Sequence, residues 1–506
     1  QANTVGGPLN DLTDVNGNLV LDGTINVSAA AGGSFGPGSY RVFTYTGSLT
    51  DNGLALGSMP SSGVQVQTGV AQQVNLVVSD PNQTLDFWDG DAGPRNNNVI
   101  DGGNGTWESG SALTTNNWTD AGGAANTSFS DGSFAVFQAT PGTVSVSTGN
   151  GAINVSGMQF ASDGYVLQGD AINLVGSAGD PANTIIRVGD GTTASVLYEA
   201  VIGSALTGTS TLVKADYGVL QLTGTNTYSG GTTISSGVLV VGDGGTHGSI
   251  VGNVSDTREL DFYRSDAITF DGNISGRGLL ELDGSGSVTL TGNNTYSGGT
   301  FLEFGTLIIG NGGTAGSVTG EIFDESVLAF DHSDDIAFSS RISGSGSLIQ
   351  AGSGALTLNG YNPNLYTGAT QVQAGGLYVD NDQSAATGTT TVASGAVLGG
   401  KGTIGGDVTL SDGATLAPGS LGGVGTLTIN GNLSLSSGSL LASALGPAAA
   451  VGGALNDLVN VNGNLVLDGA LNVSVASGVS FGPGSYRLFN CAGTLTDKGL
   501  RQGGRA

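Results

Sequence analysis

The residues able to do chemistry in this chain of 506 are few: His247, His332, Cys491, and 40 Asp and Glu set against 13 Lys and Arg. A hydrolytic triad needs a histidine that reaches both a nucleophile and an orienting acid. Neither His247 nor His332 has an evident partner set. No Gly-Asp-Ser-Gly or Gly-Asp-Ser-Leu stretch offers the serine of a protease or an esterase. Cys491 is the sole cysteine, so it forms no internal disulfide, and without a partner histidine it is no nucleophile candidate. The Asp-Gly pairs at Asp22, Asp271, Asp283 and Asp468 are turn residues. Iterated calcium sites need a Gly-Gly-x-Gly-x-Asp array, and Asp243-Gly-Gly-Thr is only a fragment of one. The expectation is a chain without catalytic, cofactor or metal residues.

What the sequence does repeat is structural. Leu222-Thr-Gly-Thr-Asn-Thr-Tyr228-Ser-Gly230-Gly231-Thr232 returns as Leu290 to Thr300, with Tyr296, Gly298 and Gly299 in the same places. A looser copy runs from Leu358 to Thr370 and carries Tyr366 and Gly368. The spacing from Tyr228 to Tyr296 is nearly that from Tyr296 to Tyr366. A short apolar run follows each copy, as in Gly237-Val-Leu-Val-Val-Gly242. A fixed period of short strands and glycine corners predicts a solenoid. The period predicts about three coils of roughly 22 to 23 residues per repeat. The glycines are expected to supply positive φ at coil corners. Tyr228, Tyr296 and Tyr366 are expected to lie along one face about three coils apart, packing locally at corners; sugar contact is the alternative. Trp88, Trp107 and Trp118 either cap one small core or form a binding patch.

Composition agrees with an all-β chain. Glycine accounts for 92 residues without the every-third pattern of collagen, and only 10% of residues are charged. The net charge of −27 repels phosphate backbones and anionic lipid surfaces, which argues against nucleic-acid partners. No apolar run is long enough for a membrane-spanning helix, and the aromatic girdles of a membrane barrel are missing.

The repeated Leu-Thr-Gly-x-Asn-Thr-Tyr-Ser-Gly-Gly-Thr resembles the passenger-associated transport repeat of bacterial autotransporters. Phe87-Trp-Asp-Gly90 to Phe137 is similar to a tryptophan-bearing block of such passengers. Leu398 to Gly406, Leu416-Ala-Pro-Gly419 and Gly425 to Asn432 resemble coils that precede the translocating barrel, and Asp457 to Leu465 is similar to the segment after them. The resemblance covers most of the chain from about residue 85 onward. It implies a right-handed parallel β-helix, here of about 20 coils, exported through an outer-membrane β-barrel translocator that this chain does not contain. Asp334-Asp335 and His247-Gly248 also resemble motifs of β-helical polysaccharide hydrolases. Their chain order is reversed, and the accompanying Asn-Thr-Asp and Arg-Ile-Lys are missing.

A second repeat joins the ends. Residues 9–54 reappear as 455–500; Asn16–Gly23 is identical to Asn462–Gly469, and Phe35–Arg41 to Phe481–Arg487. Duplication of a long unit is the expected origin. After Leu500 the match stops at Arg501-Gln-Gly-Gly-Arg-Ala506, which reads as a frameshifted or truncated frame. The expected organisation is coils duplicating the C-terminal block over 1–60 and a tryptophan segment over 61–150. Transport-repeat β-helix follows over 151–375, pre-barrel coils over 376–500 and a divergent tail over 501–506. The expected function is a non-enzymatic adhesin or self-association factor at the bacterial cell surface. Its partner would be a host-cell or matrix surface, or another copy of itself. A passive, secretion-driving stalk and a carbohydrate-active enzyme are the alternatives.

Overall fold

In the computed structural model, residues 11–29, 35–81, 83–110, 115–191, 193–448 and 450–505 are described. No α-helix occurs among them, and one 3₁₀ turn spans Thr193–Leu197. The chain forms two compact units: Gln1–Arg264 with Gly272–Gly278, and Ser265–Asp271 with Leu279–Ala506.

In the middle of the first unit a turn of chain lays strands on three parallel sheets. Gly157–Phe160, Tyr165–Gly169 and Ile172–Leu174 show one such turn. Their partners one turn later are Asn183–Val188, Glu199–Ile202 and Leu206–Gly208. The strands are short because glycine and polar corners interrupt every apolar alternation. Leucine, isoleucine and valine on alternate positions face inward: Leu212, Leu220, Ile234 and Leu239 are fully buried.

The N-terminal block pairs with itself in the same parallel way, Thr13–Val15 on Phe43–Tyr45 and Leu19–Leu21 on Leu49–Asp51. It also contains what periodicity did not predict. Gly38–Tyr45 runs antiparallel to Gln73–Val78, which pairs in turn with Val64–Gln67. Residues 1–10 of the expected 1–60 block lie outside the described residues.

The second unit is likewise a parallel β-helix. Its longest sheet runs from Ala267–Phe270 through Ser287–Leu290, Thr306–Ile309, Val327–Phe330 and Ser347–Gln350 to Leu495–Asp497. Ser287 pairs with Thr306, Thr306 with Val327, and Val327 with Ser347. The step from each partner to the next is the length of one coil. That length is shorter than the 22 to 23 expected from the repeat: the coil closes in roughly 20 residues.

The shorter coil changes the meaning of the repeat. The interval from one signature tyrosine to the next spans three coils and part of a fourth. Successive repeats therefore start on different faces. The Ser287–Leu290 strand belongs to the longest sheet, whereas its repeat mate Ala355–Leu358 lies in the sheet of Ile336–Phe338 and Gly376–Val379. The expectation that Tyr296 and Tyr366 share a face is overturned, because corners on different faces cannot form one column.

Candidate functional site

The signature residues fold the corners. Tyr228, Tyr296 and Tyr366 are at most 2% exposed. Each hydroxyl meets the hydroxyl of the threonine four residues on: Thr232 at 2.7 Å, Thr300 at 2.6 Å and Thr370 at 2.8 Å. Sugar stacking is excluded for rings this enclosed. Burial is the main reason that the Tyr366 hydroxyl is pushed up to about 12. Gly231 and Gly299 have φ of 76° and 94°, the left-handed conformation that favours glycine. Gly230 and Gly368 do not; a Cβ there would strike the backbone of Ser210 and of Gly346 on the coil below. Glycine is needed at those two positions for close approach. Gly298 is an exposed residue of its turn.

The tryptophans form a core and no binding patch. Trp88, Trp107 and Trp118 are at most 1% exposed, and the Trp118 ring centroid lies 5.2 Å from Trp88 and 4.9 Å from Trp107. Phe129 and Phe137 pack onto the same cluster.

Each histidine considered for catalysis meets one aspartate close by in sequence. His247 is exposed and meets the Asp243 carboxylate at 3.2 Å. His332 is buried, with Nδ1 3.2 Å from Asp334 and Nε2 lacking a hydrogen-bond partner. Its ring covers Gly310, as the absent Cβ there permits. Among the described residues no hydroxyl or thiol is hydrogen-bonded to either histidine, so no triad is assembled there. Cys491 is a half-buried free thiol in the strand Phe489–Cys491, near the carbonyls of Gly463 and Gly493.

The most distinctive surface is on the second unit. The strands Leu279–Leu282, Thr300–Leu302, Ile322–Asp324 and Ile342–Ser343 pair in parallel, so Glu281, Phe301, Phe323 and Ser343 form one outward column. Phe301 and Phe323 stack with ring centroids 5.2 Å apart and planes inclined by 1°. Phe323 is 41% exposed and Phe304, at the neighbouring corner, 53%. Carboxylates surround them. Glu281, Asp283 and Glu303 bring oxygens within 4.8 Å of one another. Burial first, then the charges of Glu281 and Glu303, push the Asp283 carboxyl up to about 6. Glu321 pairs with Arg341 at 2.5 Å. Sequence reading missed this surface. Its signal is a phenylalanine at the central, outward position of Thr300-Phe-Leu302 and of Ile322-Phe-Asp324, one strand partner apart.

The chain matches the passenger-associated transport repeat model over residues 212–241, 280–309 and 348–379. It is 42% identical over 371 residues to the adhesin BmaC autotransporter of Brucella suis biovar 1 (strain 1330). That alignment takes in 69% of this chain and 11% of the relative, so the chain spans about a ninth of that protein's length. Stacked parallel coils, buried signature tyrosines and these matches agree: the chain is a cell-surface segment of the autotransporter passenger family, a β-helix carrying three passenger-associated transport repeats.

Proposed function

We propose that this segment is an adhesive, non-catalytic surface that binds a host-cell or matrix component. Its translocating barrel would be supplied by the parent protein. The observation that carries the reading is the stacked, solvent-facing Phe301–Phe323 pair set among carboxylates. Exposed aromatic rings bury readily against a partner and tend to dominate contact energy. The acids around them favour cationic segments of a matrix protein or receptor. Many such weak contacts add when copies are displayed together. The name of the relative supports adhesion as the activity class. Self-association between cells and a contribution to biofilm are finer forms of the same reading.

The test is bead attachment. Beads coated with the chain should attach to epithelial cells or matrix above albumin-coated beads. The double variant Phe301→Ala with Phe323→Ala should lower attachment about tenfold while leaving the fold intact. Inert wild-type beads would make this segment a stalk. Undiminished attachment by the variant would move the adhesive surface elsewhere.

A further inference from the structure

The segment Phe35-Gly-Pro-Gly-Ser-Tyr-Arg41 recurs residue for residue as Phe481–Arg487. Both copies hold the same internal shape. Tyr40 Oη donates to Gly36 O at 2.7 Å, and Tyr486 Oη donates to Gly482 O at 2.8 Å. The Phe35 and Tyr40 ring centroids are 5.1 Å apart, and those of Phe481 and Tyr486 4.8 Å.

Their surroundings differ. The first copy sits in a seat built by the β-helix of its own unit. Ser39 N–H donates to Gln159 Oε1 at 2.7 Å, and Gln159 Nε2 donates back to Ser39 O at 3.0 Å. The buried Arg187 donates to Pro37 O at 2.9 Å and lies 4.8 Å from the Tyr40 ring centroid. Arg41 pairs with the buried Asp190 at 2.6 Å. The backbone of Gly38–Arg41 completes an antiparallel ladder on Asn75–Val78. In the second copy Phe481, Pro483, Gly484, Ser485 and Arg487 are exposed. Tyr486 also reaches Gly446 O, and Arg487 meets the Asn490 side chain at 3.2 Å.

We propose that Phe481–Arg487 of one molecule docks into the seat of a second copy of this chain, replacing that copy's own Phe35–Arg41. Every group the seat reads is identical in the two segments: the Pro carbonyl, the Ser amide and carbonyl, the Tyr ring and the Arg guanidinium. The second segment is already in the bound shape, so little ordering cost opposes docking. Arg487 brings a cation to Asp190 in a chain of net charge −27, where most other contacts between copies are repulsive. Exchange of an identical element between molecules is domain swapping. The resident segment competes as a tethered ligand at an effective concentration of roughly millimolar. Exchange is therefore rare in dilute solution and grows where copies are crowded. The inference does not rest on adhesion; beads that fail to attach to cells leave it standing.

Glycine at 38 makes the test sharp. A Cβ there would collide with the Arg187 guanidinium and Gln159 Oε1. The whole 506-residue chain carrying Gly38→Ala should vacate its own seat and form head-to-tail oligomers in sedimentation at about 10 μM, where the wild type stays monomeric. Adding Gly484→Ala should return it to monomer, because the second segment then meets the same collision. A monomeric Gly38→Ala protein with native tryptophan fluorescence overturns the proposal, as does a double variant that associates like the single one. Should Gly38→Ala unfold, Arg41→Ala replaces it. That variant should associate more than the wild type, and Arg487→Ala added to it should reverse the gain; unchanged sedimentation in both overturns the proposal.

Discussion

The Asp324 carboxylate occupies the space that a Cβ would take on Gly346, and one repeat earlier Asp256 covers Gly278 in the same way. Both acids are at most 1% exposed and point inward. Asp324 stands between Leu302 and Gly344 in its column. One oxygen of each is satisfied: Asp324 Oδ1 accepts the Ser326 N–H at 2.9 Å, and Asp256 Oδ1 the Arg258 N–H at 2.8 Å. The other oxygen of each has no hydrogen-bond partner. Burial is the leading cause that pushes both carboxyls up to about 6, with the backbone hydrogen bond pulling the other way.

Stability should therefore fall as pH rises from about 4 to about 6. The folded chain holds these two protons up to about pH 6, while an unfolded aspartate releases its proton near 3.8. Between those values the native state binds more protons, so the contribution is complete below about 3.8 and lost above about 6. Urea midpoints measured at steps through this range check the sign. A midpoint that rises across the window would refute it.

Replacing the acid should remove that loss. The corresponding strand of the third repeat, Thr390–Val392, ends in a buried valine. Asp324→Val should thus be more stable than the wild type at pH 8, by on the order of 1–3 kcal/mol. Gly346→Ala alone should cost about 1–3 kcal/mol by overpacking against the carboxylate. Combined with Asp324→Val its cost should change, because the two residues share one space, and a double-mutant cycle in urea reads that coupling.

The tyrosine corner makes a separate forecast. Tyr228→Phe leaves the buried Thr232 hydroxyl without its 2.7 Å partner and should cost about 1 kcal/mol. Tyr228→Ala also opens a cavity and should cost about 3–5 kcal/mol. Thermal melts of the two variants separate the hydroxyl from the ring. Equal losses would mean that the ring contributes nothing to the corner.

The acidic group beside the phenylalanines can be titrated. Glu303→Gln removes one of the charges that raise the Asp283 carboxyl, so its value should move down from about 6. Carbon-detected NMR of the Asp283 carboxyl follows this directly. A value that stays in place would mean that burial and the Glu281 charge set it.

The class of fold and the secretion family are legible in the order of residues alone. Gly-bounded apolar alternation leaves no option but short strands, and the Tyr-Ser-Gly-Gly-Thr signature marks its own period. That order also contains the duplicated Phe-Gly-Pro-Gly-Ser-Tyr-Arg segment. Tertiary structure decided where these residues go. The spacing between signatures says nothing about the coil unless the number of turns within it is known. Strand pairing supplies that number, by setting Thr306 against Ser287 and Val327 against Thr306. The shorter turn rotates successive repeats onto different faces. Strand pairing also sets Phe301 against Phe323 and leaves Asp324 buried on the opposite side of the same strand. The two identical loops differ for a related reason. Burial of Phe35–Arg41 depends on Gln159, Arg187 and Asp190, which lie far along the chain from it. Local sequence fixed the shape of both loops, and only the fold supplied a seat for the first.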